Sequence, residues 1–84
     1  SAAEELARKS EVVFVVGGAN SNNTRELVRT CAKYCERVYH VQGPDDIRTE
    51  WLVDVNTLGI TAGTSTPDEQ IDAVENRVRY ILDQ

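Results

Sequence analysis

The 84 residues include no methionine and only one histidine, one phenylalanine, one tryptophan, two prolines and two cysteines. No apolar run approaches the roughly 20 residues of a bilayer-spanning helix, so a membrane role is not expected. Neither a basic n-region nor an apolar h-region opens the chain, so no signal peptide is recognised. With no initiating Met, the sequence reads as an excised piece of something longer. Basic residues are the minority: nine Lys and Arg against fourteen Asp and Glu give a formal net charge of minus 5. That balance repels nucleic acid at long range and argues against it as a partner. A single domain of this size buries only about 60 to 65% of its unfolded surface, so a site needing several walls must borrow them.

What is present alternates in a regular way. Ala2 to Lys9 reads as a short helix, with Glu4-Glu5 and Arg8-Lys9 at the ends that suit the helix dipole, and is expected to finish a longer upstream helix. Val12 to Val16 is an unbroken apolar run, four of its five residues β-branched, as expected of a central strand buried on both faces. From Asn23 onward Leu27, Val28, Cys31 and Cys35 recur at helical spacing, with Arg25, Arg29, Lys33 and Glu36 opposite. Arg37 to Val41 reads as a second strand, Gly43-Pro44-Asp45-Asp46 as a turn into a short helix carrying Ile47, Trp51 and Leu52, and Thr57 to Ala62 as a third strand. Ile71, Val74, Val78 and Ile81 mark the last helix, and Thr66-Pro67-Asp68-Glu69 reads as its capping box, with Thr66 at N-cap. The expected fold is a small three-layer α/β domain, Rossmann-like or flavodoxin-like, with a short parallel sheet in strand order 2-1-3 flanked by helices.

In such a sheet ligands bind beyond the carboxyl ends of the strands, where the strand order reverses. Two stretches lead there: Val16-Gly17-Gly18-Ala19-Asn20-Ser21-Asn22-Asn23-Thr24 and Gly59-Ile60-Thr61-Ala62-Gly63-Thr64-Ser65-Thr66-Pro67. Neither carries a charge, and both are rich in small residues, hydroxyls and amides, which suits backbone N–H groups wrapping an anion at two helix N-termini. Ser, Thr and Asn are also ordinary capping residues. If Asn23 caps the second helix and Thr66 the last one, Ser21 and Ser65 are left without a capping duty. The first loop matches neither G-x-G-x-x-G nor G-x-x-x-x-G-K-[ST], which disfavours a standard dinucleotide or P-loop site.

Other residues admit a functional use and a plainer one. Asp45 and Asp46 stand where a ribose-binding acid would sit, yet they also suit the first turn of a helix. Cys31 and Cys35 could pair as metal ligands with His40, but no further ligand spacing is present and buried thiols behave as small hydrophobes. Two free thiols fit a reducing cytosol. His40 has no Ser or Cys nucleophile at recognisable spacing, and Trp51 reads as a packing anchor. A stand-alone flavodoxin-like module recognising a nucleotide or protein partner remains the alternative to an enzyme fragment.

The stretches Val15 to Leu27, Asp46-Ile47 with Trp51-Leu52, and Gly59 to Asp68 resemble 4-hydroxy-3-methylbut-2-enyl diphosphate reductase, the last enzyme of the non-mevalonate isoprenoid pathway. The resemblance runs through nearly the whole chain. It implies a cloverleaf of three small α/β lobes around a 4Fe-4S cluster, of which residues 1–84 form the third lobe and residues 1–9 the tail of a connecting helix. It implies that Ser21, Asn22, Asn23 and Ser65 hold the substrate diphosphate, Ser also occurring in the family at the position of Asn22. The cluster-ligating cysteines, diphosphate-binding histidines and proton-delivering Glu belong to the other two lobes. Cys31, Cys35 and His40 therefore inherit no role, and the piece alone is expected to bind no cluster and catalyse nothing. The parent is implied to be a cytoplasmic oxidoreductase served by an electron donor, forming isopentenyl and dimethylallyl diphosphates.

Overall fold

The computed structural model describes residues 1–84. Strand β1 (Val12–Val16) lies at the centre of a three-stranded sheet, with β2 (Val38–Val41) on one side and β3 (Leu58–Ala62) on the other, giving the order β2-β1-β3. Both pairings are parallel: Val15 faces His40 in β2 and Thr61 in β3. The predicted topology is the observed one, with strand ends shifted by a residue.

Central position explains why β1 needs no polar residue. Alternate side chains of a strand point to opposite faces, and both faces here are covered. Val12, Phe14 and Val16 join Val41, Ile47, Leu52, Val74 and Val78 on one side, while Val13 and Val15 join Ala7, Cys31 and Cys35 on the other. All five β1 side chains are 0% exposed, and each such burial contributes about 1.5 to 3 kcal/mol.

The layers come from three helices: α1 (Ala2–Arg8), α2 (Asn22–Ala32) and α3 (Asp68–Leu82). None is long and apolar enough to cross a membrane. Helices α1 and α2 cover one face; α3 covers the other. Helix α1 starts at Ala2, where the Ser1 hydroxyl accepts from Glu4 N–H. The short helix expected after Pro44 is instead two 3-10 turns, Pro44–Asp46 and Thr49–Leu52. Their packing justifies the plainer view of Trp51: its ring stacks on Tyr39 at 3.9 Å and 5°, and Phe14 lies against both.

Two capping assignments require correction. Ser21, not Asn23, is the N-cap of α2, its Oγ accepting from Thr24 N–H at 3.2 Å. The capping box at Thr66 does not form: Pro67 occupies the N-cap of α3 with no side-chain cap bond. The Thr66 hydroxyl donates instead to the Val16 carbonyl at 3.1 Å, a long-range bond that competes with local capping and ties the loop after β3 to the end of β1.

Candidate functional site

The carboxyl ends of the strands open onto an uncharged crevice of about 330 Å3. Gly17, Gly18 and Ser21 come from the loop after β1, Ser65, Thr66 and Pro67 from the loop after β3, and Gln42 and Gln70 close the side toward β2 and α3. The crevice stands at the end of β1, the strand on either side of which the chain order reverses, as the general rule for parallel α/β sheets requires.

The two loops are fastened to each other. Gly63 N–H and the Thr66 hydroxyl both donate to the Val16 carbonyl, at 3.0 and 3.1 Å. Asn23 Oδ1 accepts from Thr64 N–H at 2.8 Å, joining the start of α2 to the loop after β3. Between them the Thr24 side chain is wholly buried, and its hydroxyl has no hydrogen-bond partner. A Cβ at Gly17 would stand 2.8 Å from Thr24 Cγ2 and overlap its hydroxyl, and one at Gly63 would overlap the same hydroxyl. Both positions therefore require glycine for space: the two loops close around Thr24.

What the loops leave unbonded is a set of donors. Gly18 N–H has no partner, and neither do Asn22 and Asn23 N–H at the start of α2 or Asp68 and Glu69 N–H at the start of α3. The Ser65 side chain is exposed and makes no hydrogen bond within the chain. Ser21 spends its oxygen lone pair on the cap but keeps its O–H free to donate. Asn23 likewise keeps its Nδ2 donors while its oxygen bridges the loops. Asn22 differs, since its Oδ1 accepts from Arg25 Nη2 at 2.6 Å on the exposed side of α2.

The structure thus brings Ser21 and Ser65 into one crevice and leaves Asn22 and Asn23 outside its lining. Asp45 and Asp46 are not part of it either; Asp46 Oδ2 accepts from Gln42 N–H at 2.8 Å, which closes the turn after β2. Gln42 and Gln70 line the crevice without having been singled out in the sequence, whereas Gly17 and Gly18 belong to the first of the two uncharged loops. The glycines had a signal, the position directly after β1. The glutamines had none beyond their place at a strand end and in the first turn of a helix.

The cysteines answer a different question. Cys31 and Cys35 sit in the core beneath α1 and α2, and burial pushes the Cys31 thiol above its ordinary value, first by desolvation and then by the neighbouring Cys35. The Cys35 Sγ lies 3.3 to 3.6 Å from the carbonyl oxygens of Ser10, Glu11 and Arg37. A thiol whose protonated form is favoured by burial, as at Cys31, is a poor metal ligand. No three His, Cys, Asp or Glu side chains gather as a metal-holding group, so these residues do not fit an iron-sulfur cluster.

Comparison with known proteins agrees with the geometry. The family model described as LytB protein matches residues 1–79. The chain is 39% identical over 80 residues to 4-hydroxy-3-methylbut-2-enyl diphosphate reductase of Thermoanaerobacter sp. (strain X514), covering 95% of this chain and 28% of the relative. It is 43% identical over 79 residues to the reductase of Trichlorobacter lovleyi, covering 94% of this chain and 28% of the relative. A solved structure of (E)-4-hydroxy-3-methyl-but-2-enyl diphosphate reductase, the terminal enzyme of the non-mevalonate pathway, superposes with a TM-score of 0.91 at 35% identity over 93% of this chain and 28% of that one. The corresponding reductase from Plasmodium falciparum shares the fold, with a TM-score of 0.80 at 23% identity over 87% of this chain and 23% of that one. The chain spans about 28% of the length of the curated relatives it matches. With a family model matching residues 1–79 and a solved reductase superposing over nearly all of the chain, the chain belongs to the LytB protein family of 4-hydroxy-3-methylbut-2-enyl diphosphate reductases.

Proposed function

We propose that these residues form the third lobe of such a reductase and that their crevice holds the diphosphate of an isoprenoid substrate. The observation that carries this reading is the set of unbonded donors in one crevice, Gly18 N–H and the Ser21 and Ser65 hydroxyls, with the free first amides of α3 following directly on Pro67 of its lining. Neutral donors fixed in place bind an anion without the desolvation cost of a buried cation, and a helix N-terminus adds roughly half a positive charge. Asn23 serves from the rim, its oxygen fixing the loops while its Nδ2 stays unbonded; Asn22 contributes least, because Arg25 engages its carboxamide.

In the complete enzyme the reaction is the reductive removal of the substrate hydroxyl, giving isopentenyl and dimethylallyl diphosphates. The cluster, the proton source and the docking site for an electron donor lie in other parts of that cytoplasmic protein. The role of these residues is orientation, since a diphosphate gripped at one end points the hydroxyl end of a short substrate at the reacting centre. They are positioning groups and move no proton.

The test is a titration of the 15N-labelled chain with inorganic pyrophosphate, with AMP as comparator. Pyrophosphate is expected to move the amides of Gly18, Ser65, Asp68 and Glu69, with an affinity on the order of millimolar because a single wall supplies few contacts. Movement of Asp45 and Asp46 with AMP, and none at the crevice with pyrophosphate, overturns the reading in favour of a nucleotide module.

A further inference from the structure

His40 is the one imidazole in the chain, and it is half-buried at the end of β2, on the sheet face shared with Val15. Its Nε2 lies 2.9 Å from the carbonyl oxygen of Gly17. A carbonyl oxygen only accepts, so Nε2 carries the hydrogen.

The position of that bond in the sheet gives it a consequence. The β1–β2 ladder runs through Val13 N–H to the Arg37 carbonyl at 2.9 Å and Gly17 N–H to the Val41 carbonyl at 3.0 Å. The next rung would take the Gly17 carbonyl to an amide beyond Gln42, but there the chain turns away at Gly43-Pro44. The His40 ring supplies the missing donor, holding the Gly17 carbonyl toward β2. The peptide that follows is trans, so its N–H points the opposite way from its C=O. The Gly18 N–H is therefore directed toward the β3 side, where Ser65 and Thr66 line the crevice, and it has no partner there.

The Gly17–Gly18 peptide lies between the two residues of the loop that resist rotation least. Turned over, it would present a carbonyl oxygen to the crevice and repel the anion it otherwise attracts. We infer that His40 is a positioning residue for the anion site, locking the Gly17–Gly18 peptide so that the Gly18 N–H donates to the bound phosphoryl oxygen. The inference rests on the diphosphate reading above and extends it to a residue that touches no ligand. The neutral imidazole suffices, because the bond needs the Nε2 hydrogen and not a charge.

The experiment compares the wild-type chain with His40→Leu, His40→Gln and Ser65→Ala by pyrophosphate titration of 15N-labelled protein, with urea unfolding as the check on folding. Leu removes the donor, whereas Gln returns an N–H donor at similar reach. His40→Leu is expected to weaken pyrophosphate binding about tenfold and to abolish the Gly18 amide response, and His40→Gln to restore both. Ser65→Ala is expected to weaken binding while the Gly18 response persists. A wild-type response at Ser65 and Asp68 with none at Gly18, or unchanged binding by folded His40→Leu, overturns the role of His40 and leaves the anion site standing. No response at any crevice amide overturns both. If His40→Leu fails to fold, the imidazole 15N shifts of the wild type decide: the Nε2–H tautomer is required, and the Nδ1–H tautomer overturns the inference.

Discussion

The two ends of the same sheet treat polar groups in opposite ways. At the amino end, Glu11 Oε1 accepts from Asn56 N–H at 2.8 Å and Thr57 N–H at 2.9 Å, and the Cys35 thiol is surrounded by the carbonyls of Ser10, Glu11 and Arg37. The donors and acceptors of these groups satisfy one another. At the carboxyl end the loops are tied just as firmly, by Asn23, Thr66 and the packing of Gly17 and Gly63 around Thr24, yet Gly18, Ser65 and the start of α3 keep donors with nothing to bond. Both ends are fastened by long-range hydrogen bonds; at the carboxyl end the unbonded donors gather around one crevice. Order combined with unspent donors is what distinguishes a binding surface from a surface loop.

Gly17→Ala breaks the comparison most severely. The new methyl overlaps Thr24, so the variant is expected to lose about 1 to 3 kcal/mol of stability, read from the urea midpoint. Adding Thr24→Ala should recover much of that loss; additive losses in the double variant would show that Thr24 is not the obstruction. Next comes Asn23→Ala, which removes the bond to Thr64 N–H and is expected to cost about 0.5 to 1.5 kcal/mol while increasing amide exchange at Thr64. Unchanged exchange there would mean the loops are held without it.

The amino end is tested by acid. The N–H groups of Asn56 and then Thr57 hold the Glu11 carboxyl below its ordinary value of 4.5. A carboxyl lowered on folding contributes stability that is complete above its unfolded value and is lost as pH falls through its lowered folded one. Glu11→Gln is expected to flatten the decline in urea midpoint below about pH 4.5. The flattening should be partial, because Glu26 is lowered too, by its bond to Arg29, and Glu4 by the Tyr34 hydroxyl. An acid limb identical to wild type would remove Glu11 from the account. The smallest effect on stability is expected from Ser65→Ala, within about 0.5 kcal/mol because the side chain is exposed and unbonded, although its pyrophosphate response should fall. A large stability loss there would make Ser65 structural and erase the contrast between the ends.

Most of the architecture was legible because periodicity reports burial. The five apolar residues of β1 announce a strand covered on both faces, and the spacing from Ile71 to Ile81 announces α3. The capping pattern misled for a physical reason. Thr66 and Ser21 are judged in sequence by their neighbours, but the Thr66 hydroxyl finds its acceptor in Val16, fifty residues away in the chain. The same holds at the site. Ser21 and Ser65 could be suspected from composition, whereas the bond from His40 to Gly17 and the enclosure of Thr24 arise from β2, β1 and the loop after β3 meeting in space. No local pattern encodes such a meeting.

The unpartnered Thr24 hydroxyl also serves as an internal gauge. Its proton is shut away from water by the loops after β1 and β3, so its exchange with solvent requires those loops to separate. The rate at which that one hydrogen is replaced by deuterium therefore times the opening of the crevice mouth, and any anion that bridges the two loops should slow it.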